Sequence, residues 1–409
     1  MRFLSPLLLI SLCFLACHQP QKLVQPGTAS TSTDTSSTLG GAGKIYGVNT
    51  AKQICNPGIS LDTVNYPGAM LWLNFSGDLV ANNPPTAFTT SNAIQHDRLT
   101  ITRGKDNTVQ WFLYKDSVAG VQCEFQDPDW SSSAAWIVTS GARAEHGNCD
   151  NDVYIYSGWV IRPHDNARFK FNNDHIDEIS TPAAWFGASV TGPDSSIKID
   201  SATYTAEGLA TSAAIHNFFG SNQVKFAWSK QENGYTIHYI DYSEATPTDR
   251  VLAKPAGFET AKAESGMISP DGNWIAYNLY VLQDDYRAYI QALAPGSTPI
   301  LLDSGATDPR WFVHPSDPSR LFLVYATQPA GIGYVLKDNY LDSAVVKANT
   351  IGATYEQEVR LYAGQPADIA VELVGAPRKI ANLPFRGGRS PDGRWLATGT
   401  NYGFMMELN

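Results

Sequence analysis

The chain has few charged residues and no cluster of basic ones. Only 17% of its 409 residues are Asp, Glu, Lys or Arg, and 39 acidic residues outnumber 29 basic ones to give a net charge of −10. A protein that binds nucleic acid needs a positively charged face to neutralise phosphates. The composition therefore argues against nucleic acid as a partner and is typical of an acidic globular protein.

The chain also lacks the motifs that carry most enzyme chemistry. It contains no Gly-x-Ser-x-Gly nucleophile motif, no His-Glu-x-x-His motif, no phosphate-binding loop and no dinucleotide fingerprint. Its five cysteines include neither a Cys-x-x-Cys pair nor a Cys/His spacing typical of a metal site. We therefore expect no catalytic residue, no metal and no cofactor.

Long apolar runs are missing except at the N-terminus. Residues 3–16 form an apolar run after Arg2 that is too short for a comfortable transmembrane helix. Cys17 follows at once, and a stretch rich in Ser, Thr, Gly and Pro extends to residue 43. This resembles a bacterial lipoprotein signal, which implies a signal peptide over residues 1–16, a lipidated Cys17 and a flexible tether over residues 17–43. The alternative is an ordinary secretory signal.

The same resemblance implies a location in the cell envelope. Residue 18 is His rather than the Asp that often marks inner-membrane retention, so an outer-membrane anchor is expected. The membrane, held through the lipid, is then one partner. Whether the protein faces the periplasm or the cell surface stays open.

Export from the cytoplasm would allow a disulfide to form. If Cys13 is removed with the signal and Cys17 carries lipid, Cys55, Cys123 and Cys149 are left, and three cysteines cannot all pair with one another. Any of the three pairings is possible. We favour Cys123–Cys149, because these two flank a single repeat unit.

What the chain does contain is a repeat. Its 33 Gly, 24 Pro, 19 Tyr and 10 Trp favour strands and turns over long helices. Similar segments recur at steps of 55, 43, 40, 43 and 78 residues when they are anchored on Ser131, Phe186, Ser229, Ser269, Phe312 and Ser390. We interpret the long last step as one repeat with an insertion at about residues 328–355. Its third strand is then expected at Glu358–Tyr362 and its fourth at Pro377–Phe385.

Each repeat reads as four short strands, which predicts a blade of a β-propeller. Alternation with a period of two marks the strands, and units of about 40–50 residues match blade length. We predict an all-β fold with six or seven four-stranded blades over residues 44–409. The segment Lys44–Asn49 is placed to pair with the C-terminal strand and so close the ring.

The clearest repeats identify a family resemblance. Ser-Pro-Asp-Gly followed by x-Trp-[Ile/Leu]-Ala resembles the blade motif of TolB-like propellers, whose type protein is a periplasmic protein that binds envelope partners. Turn chemistry alone explains the motif, because Pro presets φ, Asp caps backbone amides and Gly accepts positive φ. We therefore assign a structural role to Ser269, Pro270, Asp271, Gly272, Ser390, Pro391, Asp392 and Gly393.

Two polar clusters suggest metal binding but fit polar turns better, because neither has a recognisable ligand spacing. They comprise His146, Asp150 and Asp152, and Asp174, His175, Asp177 and Glu178. Most of the aromatic side chains are expected in the core between blades, and some on an end face could contact a partner. The aromatic examples are Trp185, Phe186, Phe218, Phe219 and Trp311.

The predicted function is non-catalytic binding of a protein partner or an envelope glycan on one end face of the propeller. The insertion is the expected contact region, because it departs most from the repeat. The alternative is a hydrolase or lyase that acts on polysaccharide with carboxylates in the channel. Glu264 and Asp308, each near an inner-strand motif, are the candidates for that chemistry.

Overall fold

A computed structural model describes most of the chain from residue 43 onward. The described ranges are 43–48, 54–74, 96–106, 108–132, 136–149, 153–173, 179–192, 203–282, 285–327, 352–365, 367–399 and 403–408. The predicted signal peptide, Cys17 and the tether up to residue 42 lie outside these ranges, as do residues 328–351 of the predicted insertion.

β-Strands are the main regular structure of the described chain. In chain order the strands are β1 (Gly43–Val48), β2 (Ile54–Ile59), β3 (Ala69–Asn74), β4 (Arg98–Arg103), β5 (Thr108–Tyr114), β6 (Glu124–Trp130), β7 (Ile137–Ala144), β8 (Tyr154–Arg162), β9 (Ala167–Lys170), β10 (Ile179–Phe186), β11 (Val224–Lys230), β12 (Thr236–Asp241), β13 (Arg250–Val251), β14 (Lys262–Ile268), β15 (Trp274–Leu282), β16 (Asp285–Ala292), β17 (Ile300–Ser304), β18 (Ala306–Val313), β19 (Leu321–Thr327), β20 (Thr354–Leu361), β21 (Val371–Ala381), β22 (Trp395–Gly399) and β23 (Gly403–Leu408). The helices are α1 (Ser212–Phe219), α2 (Ala367–Ala370) and a 3-10 turn (Lys115–Ser117).

These strands form six antiparallel sheets, the blades of a propeller. Blades 1 to 5 are the sheets β2–β5, β6–β9, β10–β13, β14–β17 and β18–β21, and blade 6 contains β22, β23 and β1. The first strands of blades 1 to 5 contact one another in order, and β22 of blade 6 contacts β2 of blade 1, so the inner strands surround a central channel. The prediction of an all-β propeller with four-stranded blades is confirmed, and the number of blades is six.

The N- and C-terminal strands close the ring, as predicted. β1 pairs with β23 along its whole length, from Gly43 opposite Leu408 to Val48 opposite Gly403. On the other side of β23 lies β22, and a bridge between Arg389 and Leu396 begins the inner strand of the same blade. The pairing covers the edge that β23 would otherwise expose to other chains.

The Ser-Pro-Asp-Gly turns connect inner strands to second strands. In the turn at residues 269–272, the Ser269 hydroxyl accepts a hydrogen bond from the backbone N–H of Trp274 at 3.0 Å and donates to Asp271. Gly272 has φ +75°, and a Cβ there would lie 2.6 Å from the Trp185 ring of the preceding blade. The turn at residues 390–393 repeats these bonds, with Trp395 N–H donating to Ser390 at 2.9 Å. The motif therefore connects two strands of one blade and contacts the preceding blade.

Three boundaries differ from the sequence interpretation. The fourth strand of blade 5, expected at Pro377–Phe385, is β21 at Val371–Ala381, so it begins and ends earlier. The segment anchored on Ser229 is not a separate repeat, because β11 is the second strand of blade 3 and pairs with β10. The connection between these two strands contains α1, and its length imitates a repeat. In blade 5, the third strand β20 begins at Thr354, so Tyr355 belongs to the blade rather than to the insertion.

The core lies between adjacent blades. The predicted aromatic residues take part in it: Phe186, Phe218 and Phe219 pack with Trp136 between blades 2 and 3. α1 supplies Phe218 and Phe219 and is N-capped by Thr211, whose hydroxyl accepts from the Ala214 N–H. A disulfide joins Cys123, just before β6, to Cys149 in the connection after β7. Its Cα atoms lie 5.3 Å apart.

Candidate binding site in the central channel

The inner strands carry a repeated bulge that turns one polar residue toward the channel. In each of blades 1 to 5, the pairing register between the inner and second strands shifts at this residue, and its backbone is left-handed with φ between +44° and +54°. Pro or Gly follows it every time. A bulge re-aims a side chain without ending the strand. The five residues are Asn56, Asp127, Thr181, Ser265 and Asp308.

Blade 6 supplies a sixth member. Arg386 stands four residues before Ser390, as Ser265 stands four residues before Ser269. In this blade the left-handed residue is Gly388 instead, with φ +81°. We call the six residues the bulge ring. It offers carboxylates, an amide, hydroxyls and one guanidinium to the channel.

Hydrogen bonds join the bulge ring from blade 1 to blade 4. The Asn56 amide donates to one oxygen of Asp127 at 2.5 Å, and the Ser180 hydroxyl donates to the other at 2.8 Å. The backbone N–H of Ser265 donates to the Thr181 hydroxyl at 2.9 Å. Each bond crosses from one blade to its neighbour, so the polar residues fasten the inner strands together.

The ring continues from blade 4 back to blade 1. Asn278 on β15 accepts a hydrogen bond from the Asp308 N–H at 2.8 Å, and the Asp308 carboxylate forms an ion pair with Arg386. The backbone N–H of Ile59 then donates to the Gly387 carbonyl at 2.8 Å. All six blades are thus linked around the channel.

A second set of inner-strand residues contains an ion pair that connects two blades. Two residues after each bulge residue stand Gly58, Asp129, Ala183, Met267 and Arg310, with Gly388 in blade 6. Arg310 of blade 5 reaches Asp129 of blade 2, and Nη2 lies 2.8 Å from the carboxylate. A Cβ at Gly388 would lie 3.0 Å from the Arg310 side chain, and one at Gly58 would lie 3.3 Å from Asp129. The two glycines therefore leave room for the ion pair between Arg310 and Asp129, which we call the crossbar.

The crossbar is mostly buried, with 14% of the Arg310 side chain and 16% of the Asp129 side chain exposed. Burial raises the pKa of Asp129, and the charge of Arg310 opposes this only in part. Among the described residues, Nε and Nη1 of Arg310 have no hydrogen-bond partner. The crossbar thus links blades 2 and 5 while leaving two N–H donor groups of Arg310 without a described partner.

The two carboxylates predicted to face the channel have opposite properties. Burial alone would raise the pKa of Asp308, but the charge and hydrogen bond of Arg386 outweigh it and lower that pKa. Burial, together with the negative charges of Asp127 and Asp308, raises the pKa of Glu264 to about 7, although the charge of Lys262 opposes the shift. These two carboxylates lie in blades 2 and 5, whereas Glu264 lies in blade 4. It makes no hydrogen bond with another described residue, so it is the free carboxyl of the channel.

Glu264 should make stability depend on pH. Its usual pKa is 4.5, and folding raises it to about 7. The folded state holds the proton more tightly, so this contribution is present below pH 4.5 and is lost as the pH rises through 7. We expect Glu264→Gln, which resembles the protonated acid, to stabilise the protein by about 2–3 kcal/mol at pH 8. At pH 5 the change should be small.

Urea unfolding followed by tryptophan fluorescence at the two pH values measures this difference. The matched control is Glu372→Gln, which changes an exposed glutamate on β21. Its effect on the free energy of unfolding should be the same at pH 5 and pH 8. An equal effect of Glu264→Gln at pH 5 and pH 8 would contradict the assignment.

Other predicted features are only partly described. Asp150, Asp152, Asp174, His175, Asp177 and Glu178 lie outside the described residues, whereas His146 is exposed after β7. Within the ranges that the structure covers, no three His, Cys, Asp or Glu side chains come together as metal ligands. No helix in that part of the chain has the length and apolarity needed to span a bilayer. Sequence reasoning missed the bulge ring, although a polar residue before Pro or Gly marks it in five inner strands.

Comparisons with known proteins find other propellers. A putative TolB from Agrobacterium tumefaciens is 13% identical, with a TM-score of 0.40, over 90% of this chain and 99% of its own. A Dyadobacter fermentans protein of unknown function is 11% identical, with a TM-score of 0.43, over 89% and 98%. The acylaminoacyl peptidase of Pyrococcus horikoshii is 9% identical, with a TM-score of 0.34, and 87% of this chain matches 51% of the peptidase.

No protein-family model matches the chain, and no curated protein is significantly similar to it. By its own sheet topology the chain is a six-bladed β-propeller, and its similarity to TolB is a similarity of fold.

Proposed function

We propose that the protein is a cell-envelope lipoprotein whose propeller binds a protein partner or an envelope glycan on an end face, without catalysis. One observation supports the absence of catalysis most. The channel carboxylates Asp127, Asp129 and Asp308 are each held by groups from other blades, and Glu264 is the one carboxyl among these four described residues that makes no hydrogen bond with another described residue. Glycoside hydrolysis normally needs two carboxyl groups that are available to substrate and water.

The lipoprotein part of the proposal rests on the sequence at Cys17. The test is to express the full chain with a C-terminal tag in its native cells, crosslink the envelope, and identify what co-purifies by mass spectrometry and sugar analysis. We expect the wild type in the membrane fraction together with at least one specific protein or glycan. Cys17→Ala should be released from the membrane.

The two parts of the proposal can fail separately. If Cys17→Ala sediments with the membrane as the wild type does, the anchor is wrong. If the wild type captures nothing beyond an unrelated tagged lipoprotein, the binding role is wrong.

A second candidate function has one observation in its favour. A carboxyl group with a pKa of about 7, such as Glu264, suits a general acid at neutral pH. A polysaccharide hydrolase or lyase would release new sugar ends from purified envelope glycan, and Glu264→Gln would abolish that release. Steady release by the wild type that is lost in this variant would replace the binding proposal with an enzymatic one.

A further inference from the structure

A cleft outside the channel lies on one face of blade 5. It has a volume of about 390 Å³ and is formed by strands β19, β20 and β21 with the turn after β18. We call it the blade-5 cleft. Its lining residues are His314, Arg320, Phe322, Glu356, Glu358, Val374, Ala376 and Arg378.

A bulge in β21 produces the cleft. Glu356 of β20 lies opposite Arg378, and Glu358 lies opposite Val374, so three residues of β21 face the single residue between them. Gly375 within this bulge has φ +70°, and the Gln357 amide donates to the Val374 carbonyl at 3.1 Å. The extra residues bend β21 away from the rest of the sheet, which leaves the space above Phe322.

The rim of the cleft is rich in hydrogen-bond donors. Nε of Arg378 donates to one oxygen of Glu356 at 2.8 Å, and Nη1 of Arg389 donates to the other at 2.6 Å. Arg320 binds Glu358 through Nε at 3.2 Å and Nη2 at 2.5 Å. Both oxygens of Glu356 and one oxygen of Glu358 are thus occupied, whereas Arg320 and Arg378 each bind with only part of the guanidinium group.

These arginines are also accessible. The Arg378 side chain is 69% exposed and the Arg320 side chain 44% exposed, although both are oriented by their ion pairs. A guanidinium that is held in place and keeps free N–H groups is suited to bind a further carboxylate. Although the chain has a net charge of −10, the two arginines thus offer N–H donors to an acidic ligand at this rim.

The border of the cleft is an open sheet edge. β21 is the last strand of its sheet, and no other described strand pairs with its outer side. It has 11 residues, whereas the outer strands of blades 3 and 4 have two and five. Most of β21 is exposed, including the apolar Leu373. An edge of this kind can accept an added strand through main-chain hydrogen bonds.

We propose that the blade-5 cleft binds an acidic, extended peptide segment of the partner protein. The segment pairs with β21 at Val371–Val374 and places an Asp or Glu side chain between Arg320 and Arg378. This proposal rests on the proposed binding function and specifies its partner chemistry, and it places this contact at the outer edge of blade 5 rather than on an end face. Pro377 and Lys379 discourage pairing beyond the bulge, which limits the added strand to a short length.

The test uses the full-length lipidated protein in detergent, immobilised and offered a phage library of random ten-residue peptides. We expect the selected peptides to be rich in Asp and Glu among β-forming residues. Their affinity should fall at least ten-fold in Arg320→Gln/Arg378→Gln. Ala376→Trp fills the cleft without changing its charge and should weaken binding in the same way.

The matched control is Arg103→Gln, an exposed arginine that pairs with Asp106 on blade 1 and should leave affinity unchanged. Melting curves show that each variant is folded. Selection of no peptides, of basic peptides, or of peptides that bind the double variant normally would overturn the proposal. Capture of the native partner by the double variant at wild-type level would also reject the cleft while leaving the binding function intact. Capture of nothing by the wild type would reject the function itself.

Discussion

Replacing Asp308 with alanine should lower the free energy of unfolding by about 3–5 kcal/mol. The carboxylate is buried, pairs with Arg386 of blade 6 and accepts a hydrogen bond from the Thr307 hydroxyl at 2.9 Å. Its removal leaves the Arg386 guanidinium mostly buried without its ion-pair partner, which costs more than the pair itself contributes. The midpoint of urea unfolding followed by tryptophan fluorescence measures the change.

Asp317→Ala is the matched control for this prediction. Asp317 is an exposed aspartate in the same blade, and its carboxylate binds only Ser319 in its own turn. We expect its unfolding midpoint to stay close to that of the wild type. If Asp308→Ala is as stable as this control, the bulge ring does not fasten the blades.

Opening the ring should have an even larger effect. Ile45 and Val48 of β1 are fully or almost fully buried, and β1 is the strand that completes blade 6. In the double variant Ile45→Asp/Val48→Asp, the loss of apolar burial alone costs about 3–6 kcal/mol. Burial of two unpaired carboxylates adds to this, so β1 should leave the sheet rather than accept them. We expect loss of cooperative unfolding, together with self-association through the uncovered edge of β23.

Size-exclusion chromatography and thermal unfolding by circular dichroism test the ring closure. The control is Lys44→Thr, on the same strand but exposed, which should be monomeric and fold as the wild type does. A monomeric double variant with a normal melting transition would show that β1 is dispensable and that the other blades hold the ring.

The sequence predicted the architecture because a propeller repeats its local chemistry. Period-two alternation, the turns at Ser269 and Ser390, and the spacing of the repeats are all local signals, and they sufficed for the blades and for the closing strand. These local signals failed at Ser229. The segment Phe226–Ser229 has the apolar and aromatic pattern of an inner strand, but it belongs to a second strand. A periodic pattern predicts that a segment forms a strand, but it does not predict which position that strand takes in the sheet.

The channel was only partly predictable for a different reason. The polar residue before Pro or Gly is visible in the sequence at Asn56, Asp127, Thr181 and Asp308, and it could have predicted the bulges. The bonds between them could not be predicted, because they join residues as far apart as Asp308 and Arg386. The same holds for Glu264, whose pKa is raised by burial and by the carboxylates of Asp127 and Asp308 in other blades.

The place where β1 enters the ring has a consequence for orientation. Gly43 pairs with Leu408, whose N–H donates to Arg394 just after the turn at residues 390–393. The chain from the proposed anchor therefore arrives at the end of the propeller that carries the Ser-Pro-Asp-Gly turns. The connection between Thr327 and Thr354 leaves blade 5 at the opposite end. With the proposed lipid anchor at Cys17, the end that carries these turns would face the membrane, and the opposite end would be presented to incoming molecules.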